Sequence, residues 1–111
     1  GLWYLSQEEA SKERIAIEMV AFEVDAATGN KSLKVFVRNI GEINVEIAAI
    51  YINGSPQTSI TPKLPYQLYT SAKGAVNVQE FKIAFQWNEN ETYIIKVVTS
   101  RGAEAIYEAK R

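Results

Sequence analysis

The chain has no cysteine and no histidine, and its 111 residues include one aspartate, Asp25, and one methionine, Met19. Without cysteine there is no disulfide, no thiolate nucleophile and no sulfur-rich zinc site. Without histidine there is no Ser-His-Asp triad and no side chain that ordinarily titrates near neutral pH. Acid–base chemistry would have to rest on carboxylates, lysine or tyrosine, and the glutamates are scattered along alternating positions and turns. The expectation is a protein that is not an enzyme and that uses no cofactor and no metal. No apolar run approaches the ~20 residues of a membrane-spanning helix, and no signal peptide is visible. Twelve basic and thirteen acidic residues leave a net charge of −1. The cations are dispersed, which excludes the electrostatic footprint of a nucleic-acid binder.

What is present is ordinary for a globular domain: 47% hydrophobic and 23% charged residues in a length that suits one domain. Ser6 and Glu9 form a capping box, and Glu8 and Lys12 an i,i+4 pair, so residues 6–14 read as a short helix or the end of a longer one. From Ile15 the apolar period becomes two. Ile15, Ile17 and Met19 are followed by Val20, Phe22 and Val24 on the opposite parity, which predicts a bulge or a strand whose halves face different layers. Strands are also expected over 33–38, 43–52, 76–87, 93–98 and 103–108, with a second break at Gln79-Glu80 and a doubly buried end at Ile50-Tyr51-Ile52. Asn53-Gly54 is a strong turn signal, and Asn88-Glu89-Asn90-Glu91 reads as a polar hairpin loop. All three prolines fall in 54–75, which reads as a long loop with one short edge strand near residues 67–69. About seven short strands with no βαβ alternation predict an all-β, immunoglobulin-like antiparallel sandwich over 15–111, after an N-terminal helical or juxtamembrane segment, 1–14.

Three features are candidates for function. Leu2, Trp3, Tyr4 and Leu5 form an apolar, aromatic lead that reads as a membrane-interface belt, as a filament-packing surface, or as a cap on the sandwich. Asn30, Asn53 and Asn90 each open an N-x-[ST] sequon in an expected turn, as glycan acceptors must; asparagine is also a common turn former. Lys63, Tyr66, Tyr69 and Lys73 decorate the proline-bearing stretch and read either as a partner-contact loop or as a cover over a sheet edge. Glu89, Asn90 and Glu91 offer oxygens for calcium but too few of them, so a hairpin tip is the expected role.

Three stretches together resemble the globular domain of archaeal type IV pilin-like proteins, a group that includes archaellins and archaellum accessory subunits. They are Ile15-Ala16-Ile17-Glu18 behind the apolar lead, Leu33-Lys34-Val35-Phe36-Val37-Arg38-Asn39-Ile40-Gly41 with the strand that ends at Asn53-Gly54, and Trp87 ahead of Tyr93-Ile94-Ile95-Lys96-Val97-Val98-Thr99-Ser100-Arg101-Gly102. The resemblance implies a membrane-inserted N-terminal helix followed by a sandwich outside the cell, and the chain reads as the soluble domain without that helix. It also implies protein partners. The first expectation is a filament subunit for adhesion or motility that self-assembles. The alternative is an archaellum-associated anchoring protein whose sandwich binds the surface layer.

Overall fold

The computed structural model describes residues 12–71 and 76–111. Among the described residues nine strands run in the order β1 (Ile15–Val24), β2 (Lys31–Asn39), β3 (Val45–Ile52), β4 (Ser55–Pro56), β5 (Ile60–Thr61), β6 (Tyr66–Leu68), β7 (Val78–Ala84), β8 (Thr92–Thr99) and β9 (Glu104–Lys110). They build two antiparallel sheets, one ordered β1-β2-β7-β5 and the other β4-β3-β8-β9, with β6 also paired to β3. The architecture is all-β, with no α-helix among the described residues. Lys12 lies in a turn and Glu13 and Arg14 have no regular secondary structure, so the expected helix does not reach residues 12–14. The rest of that helix, with Leu2, Trp3, Tyr4 and Leu5, lies outside the described residues.

Alternation explains the layers. Leu33, Val35 and Val37 of β2 and Phe81 and Ile83 of β7 are fully buried from one sheet. Ile47, Ile50, Ile95 and Val97 meet them from the other. Burying each such side chain contributes roughly 1.5–3 kcal/mol. The outward positions of the first sheet are charged and paired: Lys34 sits 3.2 Å from Glu23 and 3.8 Å from Glu80, and the Arg38 guanidinium clasps both carboxylate oxygens of Glu18. Hydrogen bonding to Arg38 holds the Glu18 carboxyl below its usual range and raises Arg38 in turn.

The parity change expected in the first strand is a bulge, and β3 holds a second bulge. The β1–β2 register shifts between Ile17 and Met19, and β1 pairs with β2 along its whole length, so it does not change sheets. The β3–β8 register shifts between Ile47 and Ala49. That shift, and not two-sided burial, explains the run Ile50-Tyr51-Ile52: Ile50 and Ile52 point inward, while Tyr51 is half-buried under the Lys96 ammonium. The break expected at Gln79-Glu80 is absent, because β7 pairs with β2 in unbroken register from Val78 to Ala84. Gln79 occupies the same parity as Phe81 and Ile83 and satisfies its amide oxygen with the Tyr66 hydroxyl at 2.6 Å. An inward glutamine breaks the apolar alternation without breaking the ladder.

Two further corrections concern connections. The strand expected to run to Trp87 ends at Ala84. Residues 85–91 then carry the chain from the first sheet to the second, so the loop at 88–91 joins layers and does not close a hairpin. The proline-bearing stretch holds β4, β5 and β6 in place of one edge strand. β4 and β6 pair with β3, and β5 pairs with β7, so this stretch covers the same side of both sheets. The Thr61–Pro62 and Leu64–Pro65 peptides are cis.

Candidate functional site: the two ends of the sandwich

Strand direction sorts the connections into two groups about 25–30 Å apart, the length of an eight- or nine-residue strand. At one end the lead into β1 meets the β2–β3 and β8–β9 turns. Ile40 N–H donates to the Arg14 carbonyl at 3.0 Å, and Glu42 N–H to that of Lys12 at 3.0 Å. Gly41 lies directly under this lead: a Cβ there would stand 2.5 Å from the Lys12 oxygen and 2.6 Å from the Arg14 nitrogen. Glycine is required here by close backbone approach. Glu13 is buried, accepts a 2.7 Å hydrogen bond from the Thr99 hydroxyl and lies 3.7 Å from Arg101.

Asn39 organises this end. It is 1% exposed, and its amide nitrogen donates to the carbonyls of Ile43 and Leu68 while its amide oxygen accepts from Gly41 N–H. Its backbone is tied in both directions to Asn77. One side chain thus joins the β2–β3 turn to the end of β6. In the sequence Asn39-Ile40-Gly41 reads only as a turn. The burial of Asn39 and of Glu13 carried no local signal, since both types usually face water.

The opposite end carries the 25–30 turn, the 53–54 turn and the 85–91 loop. All three sequon asparagines therefore lie at one end. Asn30, Asn53 and Asn90 are exposed, and Asn53 and Asn90 have positive φ of 50° and 67°. Asn53 also accepts from Ile94 N–H at 2.8 Å, which pins the tip of the β3–β4 hairpin to β8. Beneath them sits Trp87, 1% exposed. Its indole N–H donates to the Ser32 carbonyl at 3.1 Å and more weakly to that of Glu23 at 3.3 Å. Lys31 and Arg111 lie over its ring, and Phe22 meets it edge-on. Glu89 pairs with Arg111 at 3.5 Å, and Glu91 accepts from the Tyr93 hydroxyl at 3.1 Å. The loop carboxylates thus have protein partners.

The residues of the expected contact loop differ in exposure. Lys63 is exposed beside an open cleft of about 1320 Å³ that Lys31, Lys82, Glu23 and Asp25 also line. Tyr66 is half-buried on β6, edge-on to Phe81. Tyr69 is 47% exposed and lies beyond β6, toward the end of the sandwich that holds the lead. Lys73 lies outside the described residues. The edges of the sheets are unequal: β4, β5 and β6 cover one side, whereas β1 and β9 lie next to each other on the other.

No family model matches the chain, and no curated protein does. Among solved structures, the fold is similar to a chain of the archaellum periplasmic stator protein complex FlaF and FlaG from Sulfolobus acidocaldarius. The identity is 18%, the TM-score is 0.62, and the match covers 86% of this chain and 87% of that one. It is similar also to the archaellum periplasmic stator protein FlaG from the same organism, at 17% identity and TM-score 0.62, over 87% of this chain and 99% of that one. At these identities the likeness is one of fold. It extends over most of the length of each pair of chains compared.

Proposed function

We propose that this chain is the envelope-side, immunoglobulin-like domain of an archaellum-associated, stator-type anchoring protein. It works by protein contact and not by catalysis. The observation that carries this reading is the near full-length likeness of fold to two structures named as archaellum stator proteins. The filament-subunit reading has less support, since the names of both structures are those of stator proteins. In the proposed arrangement a membrane anchor precedes the lead at Lys12–Arg14. The end with Asn39 and Glu13 then faces the membrane. The end with Asn30, Asn53 and Asn90 faces outward, carries glycans and meets the surface layer.

The test uses native cells and the isolated chain together. Sheared filaments and washed envelopes are compared by mass spectrometry, and the chain at tens of micromolar is sedimented with isolated surface layers. A stator-type protein stays with the envelope at low copy and co-sediments. Dominance of the chain in the filament fraction would overturn the reading in favour of a filament subunit. Envelope retention without co-sedimentation would remove the surface layer as the partner.

A further inference from the structure

Seven large apolar side chains are exposed among the described residues. Val24 lies at the sequon-bearing end, and Met19, Ile94 and Ile106 lie along strands. Ile40, Tyr69 and Val76 share the end that holds the lead, at 53%, 47% and 75% exposure. An exposed apolar residue on its own is ordinary, whereas a group rimmed by polar residues marks a contact surface.

The Asn39 hub brings the three together. Asn39 N–H donates to the Asn77 carbonyl at 2.8 Å, and its side chain donates to the Leu68 carbonyl at 3.0 Å. Ile40, Val76 and Tyr69 each adjoin one of these three residues in the chain. The β2–β7 register, carried past Arg38 and Val78, sets Ile40 opposite Val76, where antiparallel side chains are neighbours. On its other side Tyr69 is followed by Thr70, whose N–H donates to the Asn44 amide oxygen and whose hydroxyl donates to the Gly41 carbonyl, both at 3.0 Å. Buried polar bonds thus fix the backbone beneath three outward apolar side chains.

Charge borders the group. The lead runs beside Ile40, whose N–H donates to the Arg14 carbonyl. Lys12 and Arg14 are exposed, and neither has an ion-pair partner among the described residues. Glu42 is the exposed acid of the same turn. Before Lys12 the chain carries Leu2, Trp3, Tyr4 and Leu5; seven residue steps keep Leu5 within about 25 Å of Lys12.

We infer that this end of the sandwich is a lipid-contact surface: Ile40, Tyr69 and Val76 enter the interfacial zone of a bilayer, with Lys12 and Arg14 at its phosphate headgroups. The inference rests on the reading that a membrane anchor precedes the lead, and adds to it a contact made by the sandwich itself. Tyrosine suits that zone because its ring is apolar and its hydroxyl polar. Lysine and arginine hold their charge at the headgroups while their stems lie on apolar surface. Three side chains bind a bilayer weakly by themselves. Behind an anchor the contact is intramolecular, and its effective concentration is high. The sandwich then stands on the membrane in one orientation, with Asn30, Asn53 and Asn90 directed away from it.

The test exploits the absence of cysteine, since one introduced thiol reports one position. Tyr69→Cys, Val76→Cys and, at the opposite end, Asn90→Cys are labelled with an environment-sensitive fluorophore. Each is titrated with vesicles of equal parts phosphatidylcholine and phosphatidylglycerol to millimolar lipid. The labels at 69 and 76 shift to the blue, and the label at 90 does not. In flotation of the unlabelled 111-residue chain, the combined variant Ile40→Ser, Tyr69→Ser, Val76→Ser partitions roughly tenfold less or lower still. Unchanged circular dichroism and urea midpoint show that this variant is folded. Labels at 69 and 76 that stay unshifted at millimolar lipid overturn the inference. So does a combined variant that floats like the parent, because Leu2, Trp3, Tyr4 and Leu5 then account for all the binding. An equal shift at position 90 overturns it too, as does a shift that needs no lipid and grows with protein concentration, which assigns the group to a second copy. The stator-type reading fails separately, by dominance of the chain in the filament fraction.

Discussion

Gly41→Ala tests whether the lead before β1 is fastened to the sandwich as the structure has it. A Cβ at position 41 meets two backbone atoms, the Lys12 oxygen at 2.5 Å and the Arg14 nitrogen at 2.6 Å. Neither belongs to a flexible side chain that could swing away. Either the contact is absorbed as overpacking, at about 1–3 kcal/mol, or the lead lifts. Lifting breaks the bonds from Ile40 and Glu42 to Arg14 and Lys12, at about 0.5–1.5 kcal/mol each. Alanine returns about 0.4–1 kcal/mol by restricting the unfolded chain. The net cost is about 1–2 kcal/mol, or on the order of 10 °C in Tm for a domain of this size. Urea unfolding measures the total, and hydrogen exchange locates it. The amides of Ile40 and Glu42 lose protection, while that of Asn39, bonded to Asn77 and not to the lead, keeps it. A variant within ~0.5 kcal/mol of the parent with both amides still protected would refute the close approach.

Three further outcomes are expected. Trp87→Phe removes the indole N–H that serves the Ser32 and Glu23 carbonyls and leaves a gap beneath the sequon-bearing end, at a cost of about 2 kcal/mol in urea unfolding; a loss below ~0.5 kcal/mol would place the ring elsewhere. The Glu18 carboxyl titrates below its usual range because Arg38 is hydrogen-bonded to it, so the pair stabilises the fold above the unfolded glutamate pKa and ceases to do so as pH falls through the lowered folded value. The difference in urea midpoint between the parent and Arg38→Gln should therefore be largest near neutrality, close in acid and shrink in high salt; a difference independent of pH would contradict the pairing. Tyr69→Ala should leave stability within ~0.5 kcal/mol, whereas Tyr66→Phe should cost about 1 kcal/mol by orphaning the Gln79 amide oxygen; the reverse order would exchange their surface and packing roles.

The sequence by itself determined the all-β class, the six longer strands and most of their turns, because side-chain alternation and turn chemistry are local. The parity change expected after Met19 pointed to a real bulge, which lies one step earlier, between Ile17 and Met19, and Asn53-Gly54 located a real two-residue hairpin, for the same reason. Tertiary structure decided what alternation cannot express. A strand that leaves for the second layer after Ala84 has the same pattern as one that turns back beside its neighbour, so the loop at 88–91 looked like a hairpin. An inward glutamine satisfied by a tyrosine from another strand looked like a break, because its partner lies thirteen residues away. Asn39 and Glu13 became buried anchors only through bonds to Leu68 and Thr99, which folding brings to them. The three sequons were legible one at a time, but their gathering at one end follows from strand direction. The order of the second sheet depends on the long-range pairing of β8 with β3 as well as on its hairpin with β9.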